Sequence, residues 1–327
     1  MLFLEHRWKW GLSILLNGIK VIIKLGKGYG ILKPIIVVRL YGGLGNQLFT
    51  YAAAKRLSIF NHCKLYIDAG SGFFRDHKYK RSYQLDAFEI TSPTATWGSL
   101  FGFIITYSRK IIESVSEKLY TPNKVIIHQK KVSFDADLLT LQITKPVLFE
   151  GFWQSEGYFK DIESIIRSEF QFKQSIVSVM LSFTRQIDFK KAVAIHVRHF
   201  KDEHHINQGN ISDNYYKQSI EFYQKQIPDA EFWLFSDNPQ RALLKFEHIK
   251  IKCIPISSVL KDSNEIKELF MMSQFRNFII GNSTFSWWGA WLSEYSDKRV
   301  VAPAEIIESG EGCWGFEGLL PTEWIAL

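Results

Sequence analysis

Cysteine is scarce in this chain: Cys63, Cys253 and Cys313 are the only three in 327 residues. An odd, widely spaced set forms neither a disulfide framework nor a zinc signature, which points to a reducing compartment. Long apolar runs are missing too. Within residues 1–25 none exceeds the four residues Met1 to Leu4, whereas a bilayer span needs about 20. No small-residue cleavage site follows, so the amino terminus reads as neither signal peptide nor span. Internal repeats, low-complexity tracts and coiled-coil heptads are absent. So are a Gly-x-Ser-x-Gly elbow, a P-loop Lys-Ser/Thr and a Cys-His signature, which removes the familiar nucleophile and triphosphate motifs. Asp202, Glu203, His204 and His205 are adjacent on one loop and lack the separated spacing of a metal site, so no metal is expected. The net charge of +7 suits anionic partners, but its excess lies in the amino-terminal segment and no recognised module accompanies it. Nucleic acid is therefore not an expected partner.

What is present fits a folded α/β protein. Nearly half the residues are apolar and charge is spread along the chain. The length exceeds what one core usually organises, so two domains are expected. Residues 1–33 form a separate unit. Leu12, Leu15, Leu16, Ile19, Ile22 and Ile23 recur at helical spacing, with Ser13, Asn17, Lys20, Lys24 and Lys27 toward the other side. Such a helix packs on its own protein or lies in a membrane interface. Trp8 and Trp10 beside Arg7 and Lys9 favour the interface, where aromatic and basic residues sit well.

From Ile35 the pattern changes to short apolar strands alternating with helices: strands at 35–40, 64–68, 146–152, 192–197, 232–235, 251–255, 278–281 and 300–302, with a helix over 97–120 and another ending at Phe170. Residues 71–92 read as surface loops, and the domain boundary falls near 171–190. The domains are thus 34–180 and 181–327. Strands alternating with helices imply parallel sheets.

Four constellations could carry chemistry. In VRLYGGLGNQLF a strand enters a glycine turn and a helix follows. Gly42, Gly43 and Gly45 permit close backbone approach, and the helix start offers free amides to an anion; a structural turn is the alternative. AIHVRHF, residues 194–200, ends a buried strand with His196 and Arg198 on one face by alternation and His199 on the other if the strand persists. A guanidinium there suits a diphosphate or a surface salt bridge. In IIGNSTFSWWGAWLS, residues 279–293, Asn282, Ser283 and Thr284 cap a helix or bind phosphate oxygens, and the tryptophans read as core. Glu268 in KELFMMSQ offers an acceptor pair to guanine N1 and N2, or is an exposed helix glutamate.

Taken in order, GGLGNQLF, YKRSYQLDAFEI, GFWQSEGYF, AIHVR, FWLFSDNP and NSTFSWWGAWLS resemble the bacterial α-1,2-fucosyltransferases of glycosyltransferase family 11, over residues 35–325. The resemblance implies a GT-B type fold: two Rossmann-like domains whose parallel sheets face an interdomain cleft, the acceptor on residues 34–180 and the GDP-sugar on 181–327. It implies GDP-β-L-fucose as donor and inversion to an α-linked fucoside, most naturally at O2 of a galactoside, without a metal or other cofactor. Arg198 and His196 would be catalytic. Gly43, Gly45, Asn46, Asp237, Glu268, Asn282, Ser283, Thr284 and Phe285 would bind the donor, and Tyr83, Trp153 and Gln154 would face the acceptor. The base stays unassigned among His199, Asp202 and Glu203.

This chain departs from the family at three points. The family continues HVR with a second arginine, glycine and aspartate, where this chain has His199, Phe200, Lys201 and Asp202; Glu268 and Asn238 stand where aspartates are usual. His199 or Lys201 would have to replace the second cation. The family context implies O-antigen or capsule synthesis by a cytoplasmic enzyme peripheral on the inner membrane, acting on a lipid-linked glycan. The alternatives are another GDP-sugar or acceptor on the same fold, and an impaired membrane-associated carbohydrate-binding protein.

Overall fold

The computed structural model describes residues 34–74, 76–95, 126–200, 210–248, 251–308, 310 and 312–327. The amino-terminal amphipathic segment, the helix expected over 97–120, and Asp202, Glu203, His204 and His205 lie outside the described residues.

Two parallel sheets organise the chain. The first contains β1 (Ile35–Arg39), β2 (Lys64–Asp68), β3 (Ile126–His128) and β4 (Val147–Glu150) in the order β2-β1-β4-β3. The second contains β5 (Ala192–Val197), β6 (Glu231–Ser236), β7 (Cys253–Pro255), β8 (Asn277–Ile279), β9 (Arg299–Ala302) and β10 (Ile325–Ala326) in the order β10-β9-β8-β5-β6-β7. Every pairing is parallel. The helices are α1 (Leu44–Phe60), α2 (Glu163–Glu169), α3 (Gln174–Thr184), α4 (Asp213–Gln226), α5 (Pro239–His248), α6 (Glu265–Ser273) and α7 (Thr284–Leu292). All six residues of β5 are buried, which explains its unbroken apolar sequence: a parallel strand covered on both faces has no solvent side to alternate toward.

The stretch 171–190, between the strands of the two sheets, carries α3. Elsewhere expectation and structure part company. The loop region 71–92 is anchored, with Leu85 and Phe88 in the core. β3 was not anticipated, being only three residues long.

One apolar cluster runs from the first sheet through α1 and residues 153–170 to α7 and one face of the second sheet. A second fills the opposite face of the second sheet under α4 and α5. α1 is the join. Its run of Ala52, Ala53 and Ala54 is buried, and Phe49 lies 4.5 Å from the Trp287 ring and 4.9 Å from Trp288. Trp287, Trp288 and Trp291 are core, as their sequence suggested.

The halves approach closely at Gly45. A Cβ there would stand 2.5 Å from the Thr284 carbonyl carbon and 2.6 Å from its oxygen. Backbone cannot yield as a flexible side chain can, so Gly45→Ala is expected to cost about 1–3 kcal/mol as overpacking. Gly43→Ala is the control, since its Cβ would meet nothing nearer than Arg81 Nε at 3.8 Å. Urea unfolding checks the pair: the midpoint should fall for Gly45→Ala and stay for Gly43→Ala.

Candidate functional site

In an open parallel sheet, ligands bind beyond the carboxyl ends of the strands, where the strand order reverses. The first sheet reverses between β1 and β4, the second between β5 and β8. The motifs identified in the sequence fall at those two points. After β1 comes the turn at Gly42 and Gly43 that starts α1; after β4 come Gly151 to Gln154; after β5 come Arg198 and His199; after β8 come Asn282 to Phe285.

The two reversal points are bonded to one another. Asn46 Oδ1 accepts from Gln154 Nε2 at 2.9 Å and from Thr284 Oγ1 at 3.1 Å. Three separate sequence blocks thus meet at one amide oxygen. The Gly43 carbonyl accepts from the amides of Asn46 and Gln47. Gln47, fully buried, donates to Gly42 O and Ser82 O and accepts from the Gln84 amide, fixing the segment that holds Tyr83. Tyr83 itself is half-buried against the core, and burial, with Asp86 adding, pushes its phenol up to about 12. Ser283 caps α7 by accepting from the Phe285 amide at 3.3 Å, and Asn282 donates to Gly312 O at 3.0 Å.

His196 is 4 % exposed, its ring 5.6 Å from that of Phe285 across the β5–β8 crevice. Its Nδ1 is buried without a hydrogen-bond partner. Burial holds its pKa down to about 3, so the ring is neutral at physiological pH; nearby Arg198 and His199 add to this and Asp237 opposes it. Beyond Val197 the strand ends, and alternation ends with it. Arg198 Nη1 lies 3.4 Å from Asp237 Oδ2, and the His199 amide donates to Asp237 Oδ1 at 3.0 Å. His199 Nδ1 is 3.5 Å from the same oxygen, an ion-pair distance outside good hydrogen-bond geometry. The expected opposition of Arg198 and His199 is therefore replaced by a shared carboxylate. Burial pushes that carboxyl up, but His199 and Arg198 outweigh it and hold Asp237 below the ordinary value.

Glu268 sits in the first turn of α6, which runs back from the carboxyl edge of the sheet into β8. It accepts from Ser263 Oγ at 2.7 Å, and burial raises its pKa. It is half-buried, not the freely exposed glutamate of the bland reading. A cavity of about 320 Å³ opens beside Arg198 and His199, lined also by Asn210, Tyr216, Arg241 and Lys245. Arg241 and Lys245 are cations that sequence reasoning missed, because α5 bears no motif. Of the two aromatics after β4, the sequence pointed to Trp153. Trp153 is 3 % exposed and stacks on Phe149 at 4.8 Å, whereas Phe152 stands at the surface. Among the described residues no group of three or more His, Cys, Asp or Glu side chains is placed to hold a metal, and no helix is long and apolar enough to cross a membrane.

Residues 120–310 match the sequence model of glycosyl transferase family 11, more than half the chain. The chain belongs to that family. This glycosyltransferase is 25 % identical over 288 residues to an alpha-1,2-colitosyltransferase of Escherichia coli, covering 85 % of this chain and 94 % of the relative. It is likewise 25 % identical over 285 residues to the O-antigen biosynthesis glycosyltransferase WbnK of Escherichia coli, covering 81 % and 92 %. Among solved structures it is similar to the NodZ alpha-1,6-fucosyltransferase soaked with GDP-fucose, at 12 % identity and a TM-score of 0.46, covering 82 % of this chain and 97 % of that one.

The neutral, buried His196 links stability of the transferase to pH. Its folded value of about 3 lies below the ordinary 6.5, so between those limits the unfolded chain binds a proton that the folded chain refuses. Its contribution is whole above pH 6.5 and is lost as pH falls toward 3. From pH 6.5 to 5.0 the loss should reach about 2 kcal/mol. Unfolding free energies at these two pH values should show a smaller fall in His196→Gln than in wild type.

Proposed function

We propose that this family 11 glycosyltransferase inverts the anomeric carbon of a GDP-activated 6-deoxy-L-hexose, L-fucose being the first candidate, and places the sugar on a galactoside hydroxyl, O2 by preference. The observation that carries the reading is the bonded pair of reversal points, Asn46 with Gln154 and Thr284, with Arg198 and the unpartnered His196 Nδ1 at the adjoining β5–β8 crevice. The arrangement suits a GT-B type enzyme, with residues 34–180 on the acceptor side and 181–327 on the donor side.

The demand of the reaction is electrostatic. As the acceptor oxygen closes on the anomeric carbon, negative charge grows on the departing diphosphate. Arg198 offers a planar fork of donors, and the starts of α1 and α7 aim amides and partial positive charge at the same point. One well-placed donor of this kind is commonly worth about 3 kcal/mol. Arg241, on α5 at the same cavity, adds the further positive charge that this chain lacks directly after Arg198, while Lys245 is already paired with Asp213 at 2.8 Å. His196 orients the donor through Nδ1, and the raised Glu268 carboxyl receives the guanine N1 and N2 hydrogens. The charge need is met by the protein itself, without a metal. The two Escherichia coli relatives favour an O-antigen acceptor, and the first of them favours testing a colitosyl donor beside the fucosyl one.

GDP release from GDP-fucose, GDP-colitose and GDP-mannose over a panel of β-galactosides tests this. Acceptor-dependent release with a 6-deoxy donor, falling about 100-fold or more in Arg198→Ala, is expected; failure to bind GDP would overturn the donor assignment. Residues 1–30, basic and amphipathic, are proposed to hold the enzyme on the cytoplasmic face of the inner membrane near a lipid-linked acceptor. Their removal should move the protein from the membrane pellet to the supernatant with GDP affinity intact, and unchanged pelleting would refute that role.

A further inference from the structure

The carboxyl edge of the first sheet carries a set of charged groups that the donor crevice does not use. Glu150 ends β4 with its side chain 4 % exposed, and its two oxygens face different cationic groups. Oε2 accepts from Arg39 Nη1 at 3.1 Å, and Arg39 Nη2 donates to Ser71 O at 3.2 Å, so the carboxylate is held from behind. Oε1 lies 3.2 Å from Nδ1 of His128, the residue opposite Glu150 in the β3–β4 register. The His128 side chain is 55 % exposed. A buried carboxylate at ion-pair distance from Nδ1 of an exposed imidazole biases the orientation of the ring and leaves Nε2 as the nitrogen directed away from it.

The surroundings suit a sugar hydroxyl. Gln129 follows His128, and its Oε1 accepts from the amides of Phe152 at 2.8 Å and Trp153 at 3.1 Å, tying the end of β3 to the segment after β4. Phe152 is 37 % exposed there, its ring 5.0 Å from that of Tyr41. Four residues beyond Glu150, Gln154 reaches Asn46 and the donor-side junction. Four residues span about 14 Å at most, so Glu150 lies within that reach of the donor-side junction.

We propose that His128 is the general base of the transfer and that Glu150 is its positioning partner; this rests on the transferase reading above. The acceptor O–H gives its proton to His128 Nε2 while its oxygen bonds to the anomeric carbon. The anomeric C–O bond to the β-phosphate breaks, and its electron pair leaves on GDP. The imidazolium then returns its proton to solvent.

The test compares wild type, His128→Gln, His128→Ala and Glu150→Gln in transfer from GDP-fucose or GDP-colitose to a galactoside, with GDP affinity measured separately. Both His128 variants should lose about 100-fold or more in kcat while keeping acceptor KM and GDP affinity, since general bases typically supply a factor of 10² to 10⁴. Added imidazole should restore part of the rate to His128→Ala, which a merely structural histidine would not allow. Glu150→Gln should lower kcat without raising acceptor KM. His128 is exposed, so its variants stay informative even where Glu150→Gln unfolds. Retention of kcat within about threefold in both His128 variants, beside an active wild type, would overturn the assignment and leave the transferase reading standing. A wild type inactive on every donor and acceptor would remove both.

Discussion

The contact on which the rest of this architecture depends is the meeting of two helix starts, α1 and α7, with no side chain between them at Gly45. Each start carries the partial positive charge of its helix, offset in part by the Gly43 carbonyl at α1 and the Ser283 hydroxyl at α7. Asn46 ties the two together by accepting from the Thr284 and Gln154 side chains. One residue thus bridges the meeting and draws in the segment after β4.

Behind this junction the packing is aromatic. Phe49 packs on both Trp287 and Trp288, Phe159 stacks on Trp288 at 5.6 Å, and Phe170 meets Trp288 edge-on at 5.2 Å. Large rings at interior density allow few alternative arrangements. The Trp291 indole donates to Glu156 at 3.0 Å and Lys298 caps the end of α7 by donating to Trp291 O and Ser293 O, each at 2.9 Å. The helix that presents Thr284 and Phe285 is therefore fixed at both ends. A crevice that must hold a donor in one pose needs such support, since small displacements of reacting groups are costly in rate.

Much of this was legible in the sequence. β2 and β5 follow from β-branched and apolar runs, to the residue, and the hydroxyl cap before the tryptophans marks the start of α7. Motif order indicated which segments would share a site, and Asn46, Gln154 and Thr284 do meet. Side-chain directions beyond the strand ends were not legible. Gly151 at φ +141° and Trp153 at φ +51° leave the extended region, so the period of two stops at Glu150, and Phe152 rather than Trp153 reaches the surface. β5 stops at Val197, and His199 turns to the same carboxylate as Arg198. The association of Arg39, His128 and Glu150 had no local signal at all. Arg39 and Glu150 are 111 residues apart, and only the strand order places β4, which carries Glu150, between the strands of Arg39 and His128.

The division of polar groups between the sheets gives the architecture its chemical sense. At the second sheet the buried imidazole of His196 is neutral and unpartnered at Nδ1, an arrangement that costs stability and that a folded core would not favour for its own sake. Arg198 is held by Asp237 at 3.4 Å only, a loose ion pair that a doubly charged oxyanion can outcompete. At the first sheet the pattern reverses: Glu150 is fully engaged and its histidine is the exposed member. One edge is thus short of an anion, and the other presents a proton acceptor. A displacement in which negative charge leaves on a diphosphate while a hydroxyl proton departs on the opposite side requires that polarity across a single sugar ring.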